Sequence, residues 1–280
     1  MKVLVTGGSG YLGTFVRNFF SADDFSRRSG FDILDYQAVE RVADYDAVIH
    51  LAAHFDKSPE GAFECFRTNA EGTANVIRNM KPGSVFIYAS TKDVYGANLG
   101  EMDMVNEDTS TNYSGQTAFE WSKLIGERYV EYYARAKNIR ACIFRLSTVF
   151  ARKSEDNAPG LVTHYVESIK NRQPIKLPAG VDPVRDILYV DDLSRACRAF
   201  IGTKQEFALY NLGGGRMNAI TLRDLAKRIG AMIEIEPVIQ EDPSMPVPVP
   251  LRYVSDISRA IDDLGWRPWM AVDAALREIL

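Results

Sequence analysis

The first thirteen residues constrain the fold more than any other stretch. Val3-Leu4-Val5 is a short apolar run that passes through Thr6 into Gly7-Gly8-Ser9-Gly10-Tyr11-Leu12-Gly13, a pattern of buried strand, glycine turn and helix start. Gly7 allows the tight turn, Gly10 keeps a Cβ out of the path of a pyrophosphate, and Gly13 lets the helix lie close on the strand. An anion held there faces the helix N-terminus, with Tyr11 and Leu12 in the loop beside it. A glycine turn is also an ordinary strand-to-helix connection. Its position ahead of a parallel-sheet pattern is what makes it a candidate dinucleotide site.

That pattern continues. Residues 14–20 carry apolar side chains at helical spacing, and Ser21-Ala22-Asp23-Asp24 closes the helix before a short second strand. In a dinucleotide fold the end of this strand meets the adenosine ribose, where a carboxylate suits a free 2′-hydroxyl and an arginine suits a 2′-phosphate. Here Ser26-Arg27-Arg28-Ser29 occupies that place, which tips the expectation from NAD toward NADP. Asp32 and Ile33 follow, poised at an adenine edge. Residues 36–43 read as helix, and residues 47–53 as an apolar strand ending in Leu51-Ala52-Ala53, small enough to admit a ligand. A helix is expected from about Phe63 to Met80, stopped by Pro82-Gly83, and then a strand from Val85 to Tyr88 that ends at Ala89-Ser90-Thr91. Alternation of this kind predicts an α/β fold with a doubly wound parallel (Rossmann) sheet. Its ligand crevice lies at the carboxyl ends of the strands, where Thr91 falls.

The polar stretch from Asp93 to Gly115 is long enough for a substrate lid or a linker. A helix over about 116–136 puts Phe119 and Lys123 on one face, and residues 141–146 form another buried strand. Beyond Phe150 the pattern shortens and gains Gly, Pro and polar residues. We therefore expect a dinucleotide-binding domain over residues 1–155 and a smaller C-terminal substrate domain over 156–280, with a strand near 187–190 returning to the first. The prolines between Pro237 and Pro250 describe an extended crossing segment.

Composition excludes several classes. With 280 residues, 46% hydrophobic, the chain can bury a full core, and a net charge of −4 gives no field for nucleic acid or an anionic membrane. Cys65, Cys142 and Cys197 lack CxxC spacing and read as reduced core residues of a cytoplasmic protein. His50 and His54 have no ligand cluster around them, so no metal is expected. No apolar run reaches signal-peptide or membrane-spanning length.

Taken together, these residues resemble the extended short-chain dehydrogenase/reductases, specifically the NAD-dependent epimerase/dehydratase family that acts on nucleotide sugars. The resemblance runs end to end. It includes the glycine turn, Asp32-Ile33, His50-Leu51-Ala52-Ala53, Asn69-Ala70-Glu71-Gly72-Thr73, Ser90-Thr91 with Val94-Tyr95-Gly96, and Ser122-Lys123-Leu124 with Glu127. In the C-terminal half it includes Arg185-Asp186 to Asp192-Leu193, Tyr210 to Gly215, and Leu264-Gly265-Trp266-Arg267-Pro268. It implies that Thr91 bonds a sugar hydroxyl, that Lys123 binds the nicotinamide ribose and lowers a neighbouring phenol's pKa, and that Asn69 supports the helix and a water chain. It also implies that Arg185 and Arg252 meet the nucleotide diphosphate. A helix-paired homodimer is a further expectation, from the aromatic residues on the helix at 120–133.

The departure is at the centre. The family's proton-transfer residue is a tyrosine four positions before the lysine, and this sequence has Phe119 there, a ring without the titratable atom. Three readings stand: an engineered Tyr-to-Phe trap, which is the most economical, a natural enzyme using another acid, and a binding protein that senses NAD(P) or a nucleotide sugar. Tyr113 and Tyr95 are poorly placed to substitute. The related dehydratases carry an acid and a base after the threonine. Lys92 removes the acid here and leaves Asp93 as a possible base, although a solvated loop carboxylate is the plainer account of Asp93. Ser147-Thr148-Val149-Phe150-Ala151 also departs from the family. The expectation is an NAD(P)-dependent nucleotide-sugar epimerase or 4-keto reductase, with a dehydratase using Asp93 and a non-catalytic sensor as alternatives.

Overall fold

The computed structural model describes residues 1–100, 102–155 and 157–280. Six parallel strands form its central sheet, in the spatial order 23–25, 3–6, 47–50, 85–91, 140–146 and 207–212. The chain lays down β1 (Val3–Thr6), α1 (Gly13–Phe20), β2 (Asp23–Phe25) and β3 (Ala47–His50). Then come α2 (Ala62–Cys65), α3 (Gly72–Arg78), β4 (Val85–Thr91), α4 (Ala118–Lys137) and β5 (Arg140–Leu146). Strand alternation accounts for the two-faced core. Val3, Val5, Ala47, Ile49, Val85, Ile87, Cys142 and Phe144 face one side, and Leu4, Val48, Phe86, Tyr88, Ala141 and Ile143 the other. Helices α3 and α4 cover the second face through Val76, Ile77, Val130 and Ala134, while α1 supplies Val16 to the first.

Between α2 and α3 the helix widens into a π-turn over Phe66–Glu71 that carries Asn69, an insertion that re-aims one side chain within an otherwise continuous helix. Residues expected as a helix from Tyr36 instead form a 3-10 turn over Ala38–Asp44, because Asp35 accepts from the amides of Gln37 and Ala38 and starts the turn late. Helix α4 begins with a reciprocal cap between Thr117 and Glu120 and ends at Asn138 in the left-handed region, φ 54°.

The C-terminal half adds β6 (Thr148–Phe150), α5 (Leu161–Lys170), β7 (Ile175–Pro178), β8 (Val184–Tyr189), α6 (Val190–Gly202) and β9 (Phe207–Leu212). It continues through β10 (Ala219–Thr221), α7 (Leu222–Ile233), β11 (Ile239–Asp242), β12 (Arg252–Tyr253), α8 (Ser258–Leu264) and α9 (Val272–Arg277). The strand expected to return near 187–190 is β8. It pairs with β6, β10 and β12, outside the central sheet. The strand that does join that sheet is β9, beside β5. A parallel neighbour needs a crossover, and α6, packed along α1, provides it before the chain re-enters at Phe207. Among its described residues the polar stretch after Asp93 is tied to the body of the fold. It is anchored by Val105, whose amide bonds the Val254 carbonyl at 2.8 Å, and by Leu99 and Val105 packing with Val94, Tyr95 and Tyr253.

Candidate functional site

Two regions lie at the carboxyl ends of the central strands. The first is the glycine turn. Gly7 has φ +69°, and a Cβ there would lie 2.8 Å from the Ala52 amide nitrogen; a Cβ on Gly13 would lie 2.0 Å from the Gly7 carbonyl oxygen. Only hydrogen fits at either place, so β1, β3 and the start of α1 approach as bare backbone. The result is an open cleft of about 450 Å³ whose walls include Gly7, Ser9, Gly10, Ser26, Arg27, Arg28, Asp32, Ile33, Leu51, Ala52 and Ala53. A flat backbone floor, a helix N-terminus and two guanidinium groups fit a dinucleotide.

The sequence-predicted residues divide here. The side chains of Tyr11 and Leu12 turn toward the C-terminal half and the core. The Tyr11 hydroxyl donates to the Ala151 carbonyl at 3.0 Å and meets Thr163 Oγ1 at 2.8 Å, and Leu12 packs on the core. Their side chains are tied to the C-terminal half because the segment after β6 folds over the turn. Asp24, on β2, accepts from Ser9 Oγ and from Ser26 Oγ at 3.1 Å and pairs with Arg17. These contacts all fall on Oδ2 and leave the buried Oδ1 without a hydrogen-bond partner, while Ser26, Arg27 and Arg28, just after β2, line the cleft. Arg28 Nη1 donates to the Ser9 carbonyl and to Asn157 Oδ1, and Asn157 Nδ2 also donates to the Ser9 carbonyl. Sequence reasoning missed Asn157, since only the fold brings residue 157 to residue 9.

The second region surrounds Phe119. Its ring, 5% exposed, stands edge-on to Phe55 with centroids 4.7 Å apart. One turn along α4, buried Lys123 donates to the Ala89 carbonyl at 2.8 Å and lies over the Tyr88 ring. Burial pushes its ammonium down to about 8, against the opposing charge of Glu127. Asn69, from the π-turn, donates to Ser122 Oγ and to the His54 carbonyl and accepts from the His54 amide. It thereby joins α4 to the loop after β3. Thr91 Oγ1 accepts from the Asp93 amide at 3.1 Å. Asp93 is not a solvated loop carboxylate. It sits between Lys57, at 2.7 Å, and Lys92. Burial alone would raise its carboxyl, but Lys92 and Lys57 outweigh that and hold it well below the usual carboxylate range. Lys57 also reaches Glu120 at 2.8 Å. Neither Lys57 nor Glu120 belongs to a recognisable motif, and both were missed.

The two expected arginines are placed differently. Arg185 Nη1 donates to the carbonyls of Val184 and Leu251, and burial lowers its pKa, against the opposing charges of Asp93 and Asp186. Arg252 lies on the adjacent strand, but its guanidinium pairs with Asp103, which Arg216 also holds. Arg252 thus stands opposite Val184, next to Arg185, with its guanidinium held by Asp103. His50 lies between the hydroxyls of Thr6 and Thr73, and burial pushes its pKa down to about 3, so it stays neutral as a packing residue. Tyr95 donates to Asn211 and Tyr113 stacks on Trp121 at the surface, so neither offers a phenol to the cluster. Beneath it, Arg145 grips Glu127 through two bonds, at 3.0 and 2.7 Å, and Ser90 donates to the same carboxylate. Among the described residues no His, Cys, Asp and Glu group could hold a metal, and no helix is long and apolar enough to cross a membrane.

Comparison with known proteins shows the family and the fold. The sequence profile of the NAD dependent epimerase/dehydratase family matches residues 3–213. The chain is 25% identical to a putative UDP-glucose 4-epimerase of Methanocaldococcus jannaschii, over 99% of this chain and 97% of that protein. It is 28% identical to a dTDP-glucose 4,6-dehydratase of Mycobacterium tuberculosis, over 96% of this chain and 88% of that protein. The fold is similar to that of MoeE5 in complex with UDP-glucuronic acid and NAD, with a TM-score of 0.85 and 19% identity over 100% of this chain and 97% of that one.

Proposed function

From the premise that the chain belongs to the NAD dependent epimerase/dehydratase family, we propose that it binds NAD(P) in the glycine-turn cleft and acts on a nucleotide diphosphate sugar as an epimerase or 4-keto reductase. The observation that carries the reading is that the glycine turn follows β1 and Thr91 ends β4, at the same carboxyl edge of the parallel sheet, with Lys123 bonded to Ala89 of that strand. A dinucleotide supplies hydride chemistry when bound. The chain's part is to clamp it by the glycine turn, to hold the ribose through Lys123, to bond the sugar hydroxyl through Thr91, and to anchor the diphosphate through Arg185. Arg27 and Arg28 in the wall of the cleft support a preference for NADP.

Dehydration is disfavoured. A base at Asp93 would have to take a proton from carbon, and two lysines hold that carboxylate in its charged, weakly basic form. We place the protein in the cytoplasm as a homodimer, the dimer resting on Trp121, Tyr129 and Tyr132, which lie exposed along α4. A thermal-shift panel of UDP- and dTDP-sugars with NAD or NADP tests the reading. Stabilisation that grows with ligand concentration supports it. No shift from any sugar in the presence of bound dinucleotide would favour a substrate of another class.

A further inference from the structure

We infer that Lys57 is the proton donor of this site, delivering its ammonium proton to a substrate carbonyl oxygen in place of the phenol that Phe119 lacks. The inference rests on the proposed nucleotide-sugar reading and extends it to one residue and one direction of reaction. Lys57 stands in the loop after β3, and that loop is pinned. Asn69 bonds both main-chain groups of His54, and Cys65 Sγ donates to the Asp56 carbonyl at 3.2 Å. The pinned loop sets the ammonium 5.9 Å from the centroids of both Phe119 and Phe55. It bridges two walls of the site: Asp93, whose amide bonds Thr91 Oγ1, at 2.7 Å, and Glu120, which adjoins Phe119 in the first turn of α4, at 2.8 Å. A sugar carbon lying between Thr91 and the Phe119 ring would present its oxygen to this ammonium. The side chain is 42% exposed, so it is also open to solvent.

The groups around it fix what it can do. Burial lowers the Lys57 pKa, but Asp93 and Glu120 more than offset this and raise it, so the group enters the reaction protonated. An ammonium can give a proton and stabilise a developing oxyanion; it cannot accept one. The geometry therefore favours reduction of a keto-sugar by a reduced nicotinamide dinucleotide over oxidation of a carbinol. In that reduction a C–H bond forms at the carbonyl carbon with the electron pair of the dinucleotide hydride, and the π pair of the C=O bond moves to oxygen. Oxygen takes one proton from Lys57 Nζ, and the N–H pair stays on nitrogen as the amine lone pair. Solvent then reprotonates the amine. The dinucleotide is oxidised and the sugar reduced.

The test uses the full chain with NADPH and a dTDP-linked 4-keto sugar generated from dTDP-glucose by a 4,6-dehydratase. Lys57→Arg keeps a cation for Asp93 and Glu120 but cannot release its proton at neutral pH. It should lower kcat for reduction by roughly 10²–10⁴-fold, the usual contribution of a positioned acid, with little change in KM. Adding Phe119→Tyr to Lys57→Arg should restore most of that loss. Independently of turnover, the keto-sugar should protect Lys57 of the unsubstituted protein from acylation by an amine-reactive ester, read by mass spectrometry. Lys57→Arg at wild-type rate, an unprotected Lys57 with sugar bound, or a wild-type protein that binds both ligands and reduces nothing would each overturn the inference. Failure to bind either NADPH or NADH would instead overturn the proposed function on which it rests.

Discussion

Restoring a tyrosine at position 119 gives a prediction whose sign depends on the direction of reaction. The Phe119 ring is buried, one helical turn from Lys123, whose ammonium burial has brought down to about 8. A phenol added there sits beside a cation that favours its ionised form. Lys57, paired with Asp93 and Glu120, is a donor without capacity to accept. Phe119→Tyr should therefore supply the missing base and raise oxidation or epimerisation by roughly 10²–10⁴-fold, about 3–5 kcal/mol of transition-state stabilisation. Reduction should change far less. A hydroxyl left without a partner beside Phe55 would cost about 1–3 kcal/mol of stability, so the melting temperature should hold or fall modestly. Single-turnover formation of reduced dinucleotide, with dinucleotide affinity measured alongside, separates these effects. A revertant that binds both ligands with unchanged affinity and gains no rate in the oxidising direction would refute the reasoning and favour a sensor.

Three further outcomes follow from the same geometry. Replacing Arg27 and Arg28 together by alanine should weaken NADP more than NAD in a calorimetric titration, whereas equal losses would remove the 2′-phosphate role. Arg185→Ala should weaken a nucleotide sugar by roughly ten- to hundredfold, the value of charged hydrogen bonds, while dinucleotide affinity holds; a matched loss of both would place Arg185 elsewhere. Lys123 has a folded pKa of about 8 against an ordinary lysine's 10.5, so the unfolded chain binds more protons between those values. Its destabilising contribution is full below about pH 8 and is relieved as pH rises toward 10.5. The wild type should gain a few kcal/mol relative to Lys123→Met across that window, and thermal melts of the ligand-free pair at matched pH check it. A constant difference would mean that Lys123 keeps its ordinary pKa.

Much of the fold is legible in the sequence because it is written in short-range patterns. The glycine turn, the apolar runs of β3, β4 and β5, and the spacing of Phe119 and Lys123 each lie within one element, and their period alone places them. What escaped is long-range. That β9 joins the central sheet depends on where α6 packs, and Asn157 reaches Ser9 only through the fold. Asp93 looked solvated because its partner Lys57 lies thirty-odd residues upstream in a loop without a motif, and an ion pair leaves no periodic trace in either segment. The π-turn at Asn69 was hidden for a different reason. One extra residue in a helical turn shifts the register too little to disturb an amphipathic pattern, yet it turns Asn69 toward His54 and Ser122.

Hydrogen exchange on the full chain tests most directly that two ligands meet at one end of the sheet. The account predicts that NADP alone slows exchange over residues 7–13 and 26–33. A nucleotide sugar added to that complex should slow it over residues 89–95, 117–124 and 184–190. Protection confined to other segments, or sugar binding that leaves the amides around Thr91 and Phe119 unchanged, would contradict it.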